Sequence, residues 1–206
     1  MIKLVIFDLW KTLAISGYKS ITEGIIKTLD LKIEKETARK IYEQSVQTRK
    51  YNSETESYEQ LCLSFKVKPT AKIISELTTL FNEKHKSPIL FPHTLNMLKQ
   101  LKSQGIKIGL ISNTSEPVIK LIKQDTELFD HIDYPMFSYD TGIIKPNPKV
   151  YLLMLKKAGS KPSEAVMVGD SLIDDIEPAK KLGMKAIHFR DYEQLKKELE
   201  GIGISI

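Results

Sequence analysis

This chain of 206 residues has one cysteine and three arginines, and each scarcity excludes something. Cys62 alone cannot close an internal disulfide, and a lone thiol fits a reducing cytoplasm. Arg39, Arg49 and Arg190 are too few and too scattered to line a nucleic-acid groove. The formal net charge of +5 comes from lysines that alternate with Glu and Asp along helical stretches. It reads as a solvated surface, and no nucleic-acid partner is expected. No apolar run approaches the ~18 residues of a membrane span, so no membrane partner is expected either. No basic leader or small-residue cleavage site precedes the first apolar run, and the expected location is cytoplasmic. Internal repeats and low-complexity tracts are missing as well. His85, His93, His131 and His188 are scattered and make no histidine metal site.

What is there is an ordinary globular composition, 41% hydrophobic and 28% charged, in a chain long enough for one domain with a sizeable insertion. Leu4, Val5, Ile6 and Phe7 form an unbroken apolar run, the pattern of a strand buried on both faces of a parallel sheet. That run stops at Asp8, which the strand would deliver to the edge where ligands of open α/β sheets sit.

From about residue 16 to 87 the apolar residues recur at helical spacing, as at Ile21, Ile25 and Leu29 and again at Ile73, Ile74, Leu77, Leu80 and Phe81. The spacing predicts about four amphipathic helices, with Pro69-Thr70 breaking the chain before the last. No alternating run of strand length is present there. Residues 16–87 are therefore expected to form an all-helical insertion, and residues 1–15 with 88–206 an α/β core.

Beyond Pro92, strands and helices alternate. Strands are predicted at 106–111, 136–138, 165–168 and 186–189, and helices at 94–102, 116–124, 149–158, 175–182 and 193–199. Gly105, Gly159 and Gly183 stand where helices end. The alternation implies a doubly wound, mostly parallel Rossmann-like sheet with right-handed crossovers.

Four polar clusters fall at strand ends or in adjoining loops: Asp8, then Ser112-Asn113, then Lys145, then Asp170 with Asp174 and Asp175. Each has a plain reading as a helix cap, a surface cation or a turn former. Together they resemble the four motifs of the haloacid dehalogenase superfamily. The stretches that carry the likeness are Phe7-Asp8-Leu9-Trp10-Lys11-Thr12-Leu13, Ile111-Ser112-Asn113, Gly142-Ile143-Ile144-Lys145-Pro146-Asn147-Pro148 and Val168-Gly169-Asp170 through Ile176. The helical insertion sits where that family carries its helical cap.

The resemblance implies the chemistry. Asp8 would be the nucleophile of a covalent aspartyl intermediate. Asp8, the backbone carbonyl of Trp10 and Asp170 would hold Mg²⁺, a hard cation that takes oxygen ligands. Asp174 or Asp175 would orient its waters, with Asp175 counted in the metal site. Lys145 would offset the negative charge, and Ser112 would donate to phosphoryl oxygens, with Asn113 beside it on the substrate. A small-molecule phosphate ester or related anion is the expected partner. Arg49, at the polar junction Arg49-Lys50-Tyr51-Asn52, is the residue of the helical insertion expected to reach substrate.

One position departs from the family's phosphatases. They carry a second Asp two residues after the nucleophile, as general acid and then base, where this chain has Trp10. An indole donates a hydrogen bond but does not protonate a leaving alkoxide. A positioned acid is worth ~10²–10⁴-fold, so weak turnover of alkyl phosphates is expected. The first reading is thus a Mg²⁺-dependent phosphatase of a small phosphorylated metabolite, with Trp10 as an apolar wall against the substrate. The alternatives are a non-catalytic phosphate- or metal-binding protein and a hydrolase of the 2-haloacid dehalogenase type. Clustered carboxylates repel unless a cation joins them, which favours a metal-using site.

Overall fold

The computed structural model describes residues 1–16, 20–85 and 88–206. The stretches 17–19 and 86–87 lie outside the described residues; the expected end of the helical insertion at residue 87 falls there, whereas its expected start, Ser16, is the last residue of a short strand. In chain order the strands are β1 (Leu4–Phe7), β2 (Ala14–Ser16), β3 (Pro88–Leu90), β4 (Lys107–Ser112), β5 (Tyr134–Phe137), β6 (Ala165–Gly169) and β7 (Lys185–His188). Five of them make one parallel sheet in the order β5-β4-β1-β6-β7. β2 and β3 pair antiparallel as a separate ribbon. The helical period of the flanking segments hides that ribbon in the sequence, because three-residue strands are too short to show alternation.

The apolar run of β1 is explained by its place. Val5 and Phe7 pack into a core on one face of the sheet, and Leu4 and Ile6 into the core on the other. All four are fully buried. Each such side chain contributes ~1.5–3 kcal/mol by leaving water. The first face is covered by α5 (Thr94–Ser103), α6 (Glu116–Asp125) and α10 (Tyr192–Glu200) through Leu98, Ile119 and Leu195 among others. The second is covered by α8 (Pro148–Ala158) and α9 (Glu177–Lys181), with Tyr151 and Ala179 inside it. Helices on both faces make the sheet doubly wound.

Before the sheet resumes come α1 (Ile21–Thr28), α2 (Lys35–Val46), α3 (Glu54–Ser64) and α4 (Ala71–His85). They bury a separate core of Ile25, Tyr42, Tyr58, Leu61, Leu77 and Phe81. Ser53 caps α3 by accepting from the Glu56 amide at 3.1 Å, and Thr70 accepts from Ile73 at 3.3 Å at the start of α4.

Two local differences from the sequence expectation bear on the site. Ser138 is the first residue of a short helix, α7 (Ser138–Thr141), rather than the last of β5. The helix expected from residue 175 begins instead as a π-turn over Leu172–Ile176 and becomes α-helical at Glu177. The Ser171 hydroxyl caps that turn by accepting from the Asp174 amide at 3.0 Å. A π-turn rotates successive side chains differently from an α-helix, which decides where Asp174 and Asp175 point.

Candidate active site

β1 lies at the centre of the sheet, with Phe7 opposite Leu110 on one side and Val168 on the other. Asp8, Ser112 and Asp170 therefore leave the sheet side by side at its carboxyl edge. The chain turns from the β4 side of β1 to the β6 side, which opens the crevice typical of such sheets there. Asp8 is held in line by its amide, which donates to the Val168 carbonyl at 2.9 Å.

Lys145 is the hub. Its ammonium lies 2.5 Å from Asp8 Oδ1 and 2.6 Å from Asp175 Oδ1. All three side chains are buried, with residue exposures of 4% for Lys145, 5% for Asp8 and 1% for Asp175. Burial works to strip the lysine of its proton, but Asp175 and Asp8 outweigh it and hold the ammonium above the ordinary lysine range. Burial pushes the Asp8 carboxyl up to about 7; Lys145 pulls the other way and Asp175 adds to the rise. Burial also raises Asp170, against the pull of Lys11 at 3.5 Å.

Asp8, Asp170 and Asp175 each present a carboxylate oxygen within 4.8 Å of the other two. Three hard oxygen donors so close, with one buried ammonium between two of them, make a site that fits a small divalent cation. Ser112 supports the same reading of the adjoining space. Its hydroxyl is buried and has no hydrogen-bond partner, as does that of Thr12, so both are available to a ligand.

Asn113 also has a duty within the protein itself. Its carboxamide accepts from the Lys145 amide at 2.9 Å and donates to the Lys145 carbonyl at 3.2 Å. The same Nδ2 donates to Glu43 Oε2 at 3.3 Å. It thus fixes the backbone that carries the hub lysine.

A cavity of about 720 Å³ opens over the cluster, and Trp10 and Asn113 line it with Asp8, Lys145, Asp170 and Asp175. Arg49 does not line this cavity; it lines two others, one of which shares Glu36, Arg39, Glu43, Lys145 and Asp174 with it. The arginine that does is Arg39. Glu36, Arg39 and Glu43 recur three and four residues apart and so share one face of α2. Arg39 reaches Glu43 at 2.7 Å and Asp174, on the π-turn, at 3.2 Å. The polar stripe Glu36, Arg39, Glu43 was visible as a periodicity, but nothing local says that it faces a site. His188 also lines the cavity, its Nε2 lying 2.9 Å from the Asp170 carbonyl oxygen. The register of β7, which puts His188 opposite Gly169, brings it there.

Gly169 has a steric duty. A Cβ built on it would lie 2.3 Å from Asp175 Oδ2 and 2.6 Å from Asp175 Cβ. Gly169→Ala should therefore push Asp175 off Lys145 and cost ~1–3 kcal/mol by overpacking. Thermal unfolding of the variant beside the wild type checks this, and an unchanged midpoint would show that Asp175 has room to yield.

A sequence model of the haloacid dehalogenase-like hydrolases matches residues 2–183. The glyceraldehyde 3-phosphate phosphatase of Methanocaldococcus jannaschii is 33% identical over 192 residues, covering 89% of this chain and 83% of that one. The enzyme of the same name from Pyrococcus furiosus is 35% identical over 114 residues; that match covers 53% of this chain and only 45% of the relative. Among solved structures, a HAD family enzyme of Bacteroides thetaiotaomicron in complex with magnesium and inorganic phosphate superposes with a TM-score of 0.69. It is 19% identical, and the match covers 95% of this chain and 99% of that one.

Proposed function

This chain belongs to the haloacid dehalogenase-like hydrolases, and from that premise we propose that it is a Mg²⁺-dependent phosphatase of small phosphorylated metabolites. The observation that carries the reading is the buried ammonium of Lys145 shared between Asp8 and Asp175, with Asp170 completing a triad of carboxylate oxygens within 4.8 Å. A solved structure of like fold that holds magnesium and phosphate, and relatives named as phosphatases, support it.

Asp8 attacks phosphorus as the P–O bond to the leaving group breaks, which leaves an aspartyl phosphate that water then hydrolyses. Lys145 keeps the attacking oxygen in place and offsets its charge. The free hydroxyls of Ser112 and Thr12 donate to phosphoryl oxygens, and Asn113 holds the Lys145 backbone in register. Asp8, Asp170 and Asp175, with the Trp10 carbonyl, would hold Mg²⁺, which supplies charge neutralisation between the nucleophile and the phosphoryl group. Trp10 walls the leaving-group side and gives it no proton. In this reading the helices of residues 16–87 act as the cap over the site.

Leaving groups that depart as stable anions should therefore be favoured. Phosphate release from p-nitrophenyl phosphate and an acyl phosphate should exceed that from an alkyl phosphate by roughly the ~10²–10⁴-fold of the missing acid. Asp8→Asn is the control that should silence both. Equal rates on the two kinds of ester would remove the role given to Trp10. No release from any of them, with saturable phosphate binding, would favour a non-catalytic phosphate-binding protein. Mg²⁺ should also raise the unfolding midpoint, by about 2.7 kcal/mol of stabilisation at a hundred times its Kd, and Asp170→Ala should lose that response.

A further inference from the structure

Every cation that lines the cavity is already matched to carboxylates. Lys145 sits on Asp8 and Asp175, and Lys11 lies 3.5 Å from Asp170. On the α2 side, Arg39 donates through Nε and Nη2 to both oxygens of Glu36 at 2.9 and 2.8 Å. Its Nη1 meets Glu43 Oε1 at 2.7 Å and Asp174 Oδ2 at 3.2 Å. A guanidinium has five N–H donors, so four such contacts leave it little to offer a new anion. Seven carboxylates and three side-chain cations line the cavity, so even a divalent ion among Asp8, Asp170 and Asp175 leaves negative charge in excess. On the α2 side of the cavity Glu36, Glu43 and Asp174 surround the Arg39 head, three carboxylates around one cation. Glu43 is 9% exposed and anchored on Asn113, so it does not swing away into water.

We propose that, among alkyl phosphates, this site favours those whose leaving group is uncharged or cationic, a polyol or an amino alcohol. Esters with a second anion close to the scissile phosphate are rejected by the wall of Glu36, Arg39, Glu43 and Asp174. This rests on the phosphatase reading and narrows it. Like charges brought together in a partly buried cavity cost more than the same pair in water, and a carboxylate on the leaving group would meet three at once. Discrimination of this kind comes from a repulsive element rather than from an added contact. Lys40 and Arg49 stand behind this wall, in a neighbouring cavity that Glu36, Arg39, Glu43 and Asp174 also line, and neither lines the cavity that holds Asp8.

The test compares glycerol 3-phosphate, phosphoethanolamine and 2-phosphoglycolate by kcat/KM in Mg²⁺, with p-nitrophenyl phosphate as the measure of phosphatase activity itself. Glycerol 3-phosphate and phosphoethanolamine should each exceed 2-phosphoglycolate by at least ~10-fold, since like-charge juxtaposition costs several kcal/mol. Glu36→Gln, on the exposed first turn of α2, weakens the hold on Arg39 and should narrow that ratio at least ~3-fold. Raising the ionic strength should narrow it too. Equal use of the three esters, a preference for 2-phosphoglycolate, or a ratio unmoved by Glu36→Gln would overturn the proposal. If p-nitrophenyl phosphate is not hydrolysed, the phosphatase reading falls on its own. The ranking of the same three esters by thermal shift then still decides: weaker binding of 2-phosphoglycolate supports the repulsive wall, and equal or tighter binding refutes it.

Discussion

Lys145→Met should unfold far below the wild type in metal-free buffer, and Mg²⁺ should restore more of its stability than it adds to the wild type. Removing the ammonium strands Asp8 and Asp175, both buried, without the cation that each touches within 2.6 Å. Breaking a buried ion pair by deleting one partner costs ~3–5 kcal/mol, because the remaining charge is desolvated and unmatched. For a domain of this size each kcal/mol moves the midpoint by about 2–4 °C, so a drop of roughly 6–20 °C is expected. Two responses limit it. Asp8, whose carboxyl already stands near about 7, can take up a proton, and a divalent ion can fill the charge deficit. Scanning calorimetry in EDTA and in excess Mg²⁺ reads both effects. Phosphate release should meanwhile fall by ~10²–10³-fold, the scale for losing one preorganised electrostatic group. Equal midpoints for variant and wild type in EDTA would mean that the two carboxylates are protonated or hydrated in solution, and the hub role of Lys145 would be lost.

Trp10→Asp should raise kcat on an alkyl phosphate, with ~10²–10⁴-fold as the ceiling set by positioned proton transfer. Trp10 follows Asp8 by two residues and lines the same cavity, so in the proposed reaction a carboxyl there would face the leaving group. The variant is not free of cost. The indole is partly buried against the sheet core, so its loss should cost less than the ~3–5 kcal/mol of a fully buried aromatic. The backbone bridge of Trp10 to Ala14 needs no particular side chain and should survive. An added carboxylate beside Asp8 also meets like-charge repulsion, so the gain should grow with Mg²⁺ concentration. It should be small on aryl phosphates, which need no proton. Folded Trp10→Asp protein with no gain on alkyl phosphates at saturating Mg²⁺ would show that a missing acid is not what limits the site. The phosphatase reading would then lose its main account of Trp10.

Much of the architecture could be read from local pattern. Buried parallel strands write themselves as unbroken apolar runs such as Leu4–Phe7, because both faces are covered. Helices of the core end at glycines with positive φ, as at Gly105, Gly159 and Gly183, because L side chains disfavour that conformation. The sequence by itself therefore determined the order of the five strands of the parallel sheet and of the longer helices around them, and that Asp8, Ser112 and Asp170 stand at strand ends. Which side chains meet was decided only by the tertiary structure. Asp174 and Asp175 are neighbours in sequence, yet the π-turn sends Asp175 to Lys145 and Asp174 to Arg39. Arg39 and Glu43 reach the cavity, while Arg49 on the same stretch lines its neighbours, because α2 ends before Gln47 and its face does not continue. The partners in these contacts are 137 residues apart for Lys145 and Asp8 and 70 for Asn113 and Glu43. Local periodicity sets the face a residue occupies, but only the packing of one element on another sets what that face meets.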